Sequence, residues 1–221
     1  MSESNPGRRG VTLADARAEF WRHPSPWLLS VALIGAVAAR IAVGDWQLGD
    51  ALLPLAVVAL FPFLEWVIHV TVLHWRPRRL AGVTVDSQLA RKHREHHVDP
   101  RDVDAVFIPT MSLIGALAGV SALALWAFPR TGLGLTFLVV MLAFGLGYEW
   151  THYLIHTDYK AKTAMYKAIW RNHRLHHFKN ERYWFSVTTS GTSDRVLGTY
   201  PDPATVANSP TAKNLHGMVN R

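Results

Sequence analysis

Read for hydropathy, the chain is a polar leader followed by four long apolar blocks, with basic, histidine-rich stretches between and after them. The blocks cover residues 27–44, 51–74, 105–128 and 131–155, so each is 18 to 25 residues long. A helix of that length crosses a hydrocarbon layer roughly 30 Å thick. A helix in a soluble bundle keeps a polar face, whereas these blocks are apolar all round, so a buried soluble bundle is the weaker reading. The pattern predicts an all-α integral membrane protein with four transmembrane helices.

The polar stretches punctuate this frame. Residues 1–24 form a leader in which 12–22 (TLADARAEFWR) predict a short interfacial helix, with Ser25 and Pro26 breaking the chain before the first span. Residues 25–200 are expected to form the membrane domain. Its last part, FSVTTSGTSDRVLGTY, has the composition of a loop or short helices lying over something, and residues 201–221 have that of a disordered tail. The first apolar run is too long for a secretory signal and has no small-residue cleavage site, so an uncleaved anchor is expected.

Charge orients the spans. Arg8, Arg9, Arg17 and Arg22 precede the first block and WRPRR (75–79) follows the second, while the loops at the other end, 44–50 and 128–132, hold one cation, Arg130. By the positive-inside rule both termini face the cytoplasm, which points to the cell's inner membrane. The formal net charge of +7 then needs no nucleic acid to explain it, and no groove-reading motif or basic and aromatic interleaving is present. The absence of cysteine excludes disulfides, thiolate metal sites and cysteine nucleophiles.

Histidine changes the picture most. Ten of the 12 histidines fall in four boxes: His69 and His74 (HxxxxH), His93, His96 and His97 (HxxHH), His152 and His156 (HxxxH), and His173, His176 and His177 (HxxHH). The first pair leads to KHREHH and the third to NHRLHH, so the two halves of the chain repeat one layout. On a helix, spacings of three and four put side chains on one face about 5–6 Å apart, close enough to chelate. His69 and His74 are five apart, about 140° round an ideal helix, so they are expected to serve different metals unless the helix end is distorted.

All four boxes lie at or just beyond the cytoplasmic ends of the second and fourth spans, where unpartnered ionisable groups are costly and usually mark function. Ten imidazoles exceed the need of one ion and predict two, with four to five ligands each. A structural zinc site closes with four ligands, so the surplus points to a cytoplasmic metal-binding cap that does chemistry. Imidazole suits zinc, copper, iron and nickel alike. Glu65, Glu149 and Asp194 are candidate second carboxylates that fix imidazole tautomers, whereas Glu95 lies in a mixed-charge run that favours a salt bridge. His23 and His216 stand outside the boxes as interfacial residues. Trp66, Trp150, Tyr153 and Tyr159 sit at cap level, as an aromatic belt or the lining of a lipid opening.

On these boxes the chain resembles the fatty acid hydroxylase and sterol desaturase superfamily of integral-membrane di-iron enzymes. The resemblance runs from EWVIHVTVLH (65–74) through ARKHREHHVDPRD and EWTHYLIHTDY to the stretch ending DRVLGTYP, some two thirds of the chain. It implies that the ten box histidines ligate two iron ions, with zinc the alternative in purified protein. It further implies hydroxylation of a fatty acyl or sterol-like lipid drawn from the bilayer, using O2 and electrons from a separate donor protein. Some eukaryotic fatty acid 2-hydroxylases carry an N-terminal haem domain, for which this chain has no room; the donor is expected to dock on the basic cytoplasmic face.

Three rivals are weighed against that reading. In beta-carotene hydroxylases the first box is followed almost at once by HxxHH, whereas residues 75–92 intervene here, which favours the fatty acid branch. Desaturation begins with the same hydrogen abstraction as hydroxylation, and the boxes do not separate them. A non-enzymatic metal-binding or transport protein needs polar residues along its spans, yet Arg40 is the only charge in the first and the third has none.

Overall fold

The computed structural model describes residues 10–217. Helix α1 (Leu13–Phe20) starts at a capping box in which Thr12 and Asp15 satisfy each other's backbone N–H groups. It packs on the bundle through Phe20, which is buried, with ring centroids 5.0 Å from Trp150 and 5.7 Å from Tyr153 and Phe107. Helix α2 follows as Pro24–Val43. Ser25 and Pro26 therefore lie inside its first turn rather than before it, because proline costs no hydrogen bond where N–H groups have no helical acceptor.

Among the described residues, four helical stretches are long and apolar enough to cross a membrane: Pro24–Val43, Leu48–Leu73, Val103–Trp126 and Thr131–His156. The second contains α3 (Leu52–Ile68), the third α5 (Val103–Val106) and α6 (Thr110–Trp126), and the fourth is α7. Leu29, Ala36, Leu113, Ala124, Leu138 and Leu142 form the core between α2, α6 and α7. Outward-facing Val31, Ile34, Ile41, Leu52 and Leu55 are well exposed, as side chains that meet acyl chains should be. At Gly134 a Cβ would stand 1.8 Å from the Ala124 carbonyl oxygen, so only glycine lets α6 and α7 approach this closely.

The end of the bundle remote from the histidines is pinned by charge. Arg40 is buried, donates from Nε to Thr136 Oγ1 at 2.8 Å and pairs with Asp50 at 3.2 Å. Arg130 bridges Asp50 and Asp45. A buried arginine is tolerable here because it is fully partnered.

The other end carries the cap. A two-stranded antiparallel hairpin, β1 (Arg78–Leu80) and β2 (Val83–Val85), leads into α4 (Gln88–Val98). Helix α8 (Ala164–Phe178) follows α7, and α9 (Thr192–Val196) lies in the Ser, Thr and Gly-rich stretch. The expected disordered tail is ordered through residue 217. Ala212 and Leu215 are buried, and Ser209 N donates to the Lys179 carbonyl at 2.7 Å. Its polar composition misled because it folds onto the cap through backbone hydrogen bonds rather than through an apolar core. The expectation for residues 218–221 and for 1–9 lies outside the described residues. The first and last described segments both lie at the histidine end.

Candidate metal centre

Helices α4 and α8 supply the two HxxHH boxes. Ser87 caps α4 by accepting from Ala90 N, and Thr163 caps α8 by accepting from Tyr166 N, so both helices start at defined points and present their histidines inward. All six of these imidazoles are buried. The α7 end supplies His152 and His156, and the end of the second span supplies His69 and His74.

The ten histidines sort into two groups of five. His69, His74, His93, His97 and His176 form one, and His96, His152, His156, His173 and His177 the other; within each, one nitrogen per residue lies within 4.8 Å of the rest. Each HxxHH box is split between them. In α4 the i and i+4 histidines join the first group and i+3 the second; in α8 the assignment is reversed. The groups abut, with the His97 and His177 ring centroids 4.2 Å apart.

His69 and His74 share a group, contrary to the expectation from an ideal helix. The reason is a π-helical turn, His69–Leu73, in which His74 N bonds the His69 carbonyl at 3.0 Å. An i to i+5 bond widens the turn by one residue, so a spacing of five returns to the same face. The distortion therefore does for HxxxxH what ordinary α geometry does for HxxxH at His152 and His156.

Backbone carbonyls fix the tautomers. His69 Nδ1 faces Phe185 O at 2.7 Å, His97 Nδ1 faces Ala212 O at 2.9 Å and His176 Nδ1 faces Tyr183 O at 2.8 Å. A carbonyl only accepts, so each Nδ1 carries the proton and each Nε2 presents a bare lone pair. His97 Nε2 then meets His93 Nε2 at 3.1 Å, His176 Nε2 meets His74 Nε2 at 3.2 Å, and His69 Nε2 is buried with no hydrogen-bond partner. The second group has the same contacts at 3.0–3.1 Å among His96, His156, His173 and His177.

Nitrogens crowded this closely, with His69, His97 and His176 each presenting a bare Nε2, suit a cation among them. Two nitrogens bound about 2.0–2.1 Å from one ion are separated by about 2.9–3.4 Å at octahedral or tetrahedral angles, which matches these contacts. The residues thus fit a pair of transition-metal ions with all-imidazole ligation. Burial, reinforced by like-charge neighbours, holds His93, His96, His173, His176 and His177 well below the ordinary histidine value, and burial takes His97 to about 3. Neutral imidazole is the form a metal requires.

The candidate carboxylates act one step further out than expected. Asp194 accepts from Phe185 N and Ser186 N at 2.9 Å each, and Glu65 accepts from Val187 N and Thr188 N. Together they clamp residues 185–188, which place the Phe185 carbonyl on His69. Glu149 accepts from Ser25 Oγ and from Ile108 N at 3.1 Å, tying α7 to α2 and to the segment before α6. Carboxylates among so many buried imidazoles bond backbone N–H groups because irregular loops at membrane depth have no water to satisfy them. Glu95 pairs with Lys92 at 2.6 Å at the surface, as its charge run predicted. The aromatic residues divide: Trp66 donates to Thr199 Oγ1 at 2.9 Å, while Trp150, Tyr153 and Tyr159 pack around α1. Sequence reasoning missed Phe185, Tyr183 and Ala212, which act through carbonyls that any residue carries. His216, read as standing outside the boxes, reaches the His74 carbonyl from Nε2 at 3.0 Å and anchors the tail to the π turn.

Three spaces adjoin the centre, the first of about 530 Å³ and lined by residues including Trp66, His74, Arg76 and Phe185. An apolar cavity of about 390 Å³ lies among the spans, lined by residues including Phe61, Ile68, Leu113 and Met141. Leu73, Leu89, Ile108 and Tyr148 line both it and a narrow space of about 40 Å³ that reaches His93, His96 and His152. His93 belongs to one histidine group and the other two to the second, so this passage ends between the groups.

The comparisons with known proteins agree with this geometry. Residues 54–199 match the fatty acid hydroxylase family. The chain is 28% identical over 185 residues to a dihydroceramide fatty acyl 2-hydroxylase of Arabidopsis thaliana, covering 82% of this chain and 73% of that protein. It is 25% identical over 127 residues to a fatty acid 2-hydroxylase of Mus musculus, covering 58% of this chain but only 34% of the mouse protein. The structure of full-length scs7p, in which only the hydroxylase domain is visible, superposes with a TM-score of 0.66 at 23% identity over 83% of this chain and 69% of that one, a likeness of fold. All four histidine boxes lie inside the matched residues, and the chain belongs to the fatty acid hydroxylase family.

Proposed function

We propose that this protein is a di-iron lipid hydroxylase that inserts one oxygen atom of O2 into an acyl chain close to its polar end. The observation that carries the reading is the apolar passage that ends between two five-histidine groups. The bound metal pair would supply reductive activation of O2, with two electrons from a separate donor protein and two protons from water. The ten box histidines would hold it, with the carbonyl-locked rings of His69, His97 and His176 aiming their Nε2 lone pairs at it.

The chain's own part is positional. The cavity takes the acyl chain, its apolar walls excluding water from the reacting carbon. The passage beyond it has room for only a few atoms, and Lys92 stands at its rim, so a carbon near the head group rather than mid-chain reaches the histidines. This agrees with the 2-hydroxylase activity carried in the names of the Arabidopsis and mouse relatives. The histidine end and both termini face the cytoplasm of the inner membrane, where the donor docks on a basic surface that includes Lys160, Lys162, Lys167, Arg171 and Arg174.

The test is metal content and product formation in detergent-purified protein from iron-supplemented cells, beside His93→Ala and His96→Ala variants. About two irons per wild-type chain are expected, with His93→Ala weakening one group, His96→Ala the other, and both abolishing 2-hydroxy acyl product when reductant is supplied. Folded wild-type protein that binds no metal sinks the proposal; metal with an unsaturated product transfers it to desaturation.

A further inference from the structure

The metal centre leaves the hairpin that follows the second span unexplained. Ala81 and Gly82 close it with φ of 48° and 83°, the left-handed values that a tight two-residue connection requires. Arg78 pairs with Val85, Arg79 with Thr84 and Leu80 with Val83. Directly paired residues share a face, so Leu80, Val83 and Val85 make one apolar face with Arg78 at its edge, and Arg79 and Thr84 lie on the other. The apolar three are 55%, 66% and 41% exposed. An isolated two-stranded hairpin is marginal in water, and one that leaves its apolar face open needs a surface to lie on.

The base of this hairpin is rigid, so its face is held out deliberately. Buried Arg94 of α4 grips both ends, donating to the Trp75 carbonyl at 3.2 Å and pairing with Asp86 at 2.6 Å. Trp75 Nε1 donates to the Val85 carbonyl at 3.1 Å, and the Arg78 guanidinium lies 5.2 Å from the Trp75 ring. The hairpin begins five residues after the second span ends at Leu73, which keeps it at the level of the bilayer surface. Arg76, Arg78 and Arg79 surround it, and among the described residues none of the three forms an ion pair.

We propose that residues 78–85 insert into the leaflet on the histidine side, with Leu80, Val83 and Val85 among the acyl chains and Arg76, Arg78 and Arg79 on anionic headgroups. A lipid surface offers both partners within one short depth, and the hairpin continues a span already in that surface. Leu73 and Leu89 flank the hairpin and also line the apolar cavity, so its insertion sets the end of the cavity nearest the histidines against lipid rather than water. The inference rests on the membrane reading of the four apolar helices.

The natural absence of cysteine makes the test direct. Single nitroxide labels go on Val83→Cys, on Thr84→Cys of the opposite face, and on Leu123→Cys, which faces lipid in the third span. The full chain is reconstituted in vesicles of phosphatidylcholine with phosphatidylglycerol, and in phosphatidylcholine alone. Collision rates with O2, which concentrates in acyl chains, are compared with those of a water-soluble nickel chelate. Val83 should favour O2 and shun the chelate several-fold more than Thr84, less so without anionic lipid or with Arg78→Ser and Arg79→Ser. Equal chelate access at Val83 and Thr84, with Leu123 shielded, overturns insertion. Shielding of Val83 that appears only at high protein density, or on adding an acidic redox protein, overturns it in favour of a protein partner. A chelate-accessible Leu123 overturns the membrane reading itself, and this proposal with it.

Discussion

At the residue scale, Asp194 holds more of the site than its distance from the imidazoles suggests. It accepts from the N–H groups of Phe185 and Ser186 and from Thr199 Oγ1 at 2.6 Å, while wholly buried. Trp184, just before that pair, sits at φ 56° and is held by a bond from its N–H to the Thr199 carbonyl at 3.0 Å. The segment that aims the Phe185 carbonyl at His69 is therefore kept in an unfavourable conformation by its anchors, and the carboxylate is the strongest of them. Asp194→Asn keeps the volume but replaces one acceptor oxygen by a donor that faces another N–H. Metal affinity in the His69 group should fall about tenfold or more, as for other changes just outside a ligand shell, with the His96 group less affected. Competition with a metal-sensitive dye would show two unequal affinities in place of two similar ones; a uniform loss from both would instead mean that the cap had unfolded.

At the element scale, the two halves of the site solve one problem by different helical geometry. HYLIH at 152–156 is read in α geometry and HVTVLH at 69–74 in a π turn, and each delivers two imidazoles to one five-histidine group. Removing one residue should accordingly be milder than adding one. Thr71 is exposed and bonds only the Val67 carbonyl, at 2.6 Å. Its deletion leaves HxxxH, which an ordinary α turn brings to the same face, so partial metal binding in the His69 group is expected. An alanine inserted at the same place makes a spacing of six, which no regular turn accommodates, and that group should lose its metal. Equal loss in both would show that position along the axis, not face, limits the site. The same element explains how much was legible in sequence. Spans, boxes and the count of two groups follow from hydropathy and from spacings of three and four, which a regular helix transmits faithfully. The sharing of His69 and His74 did not, because a π turn has no compositional mark. Nor did the carbonyls of Phe185, Tyr183 and Ala212, since backbone acceptors leave no trace in residue type, nor the hairpin, whose WRPRR start reads equally well as a topology signal.

At the scale of the whole molecule, the buried histidines make stability depend on pH with a definite sign. His74, His93, His96, His97, His173, His176 and His177 lie outside the spans, and burial holds all of them below the ordinary value of 6.5 in the folded chain. Above that value both folded and unfolded chains carry neutral imidazole, and these groups contribute no pH dependence. As pH falls through it, the unfolded chain takes up protons that the folded chain refuses, so stability falls with pH by about 1.4 kcal/mol per unit for each such proton. Ordinary carboxylates do not begin to titrate until about pH 5, so the histidine uptake precedes theirs. Metal changes the size of the effect and not its direction, since bound lone pairs are closed to protons and the ions stabilise only the folded state. In detergent, the thermal midpoint of chelator-treated protein should therefore be level above pH about 7 and drop steeply toward 5, and metal-loaded protein should start higher and fall through the same window. Replacing His97 by glutamine, which keeps a donor for the Ala212 carbonyl but does not titrate, should make the metal-free curve shallower by about one proton's slope. A midpoint that stays flat down to pH 5 would mean that the imidazoles take up protons as readily folded as unfolded, and that the cap opens to water.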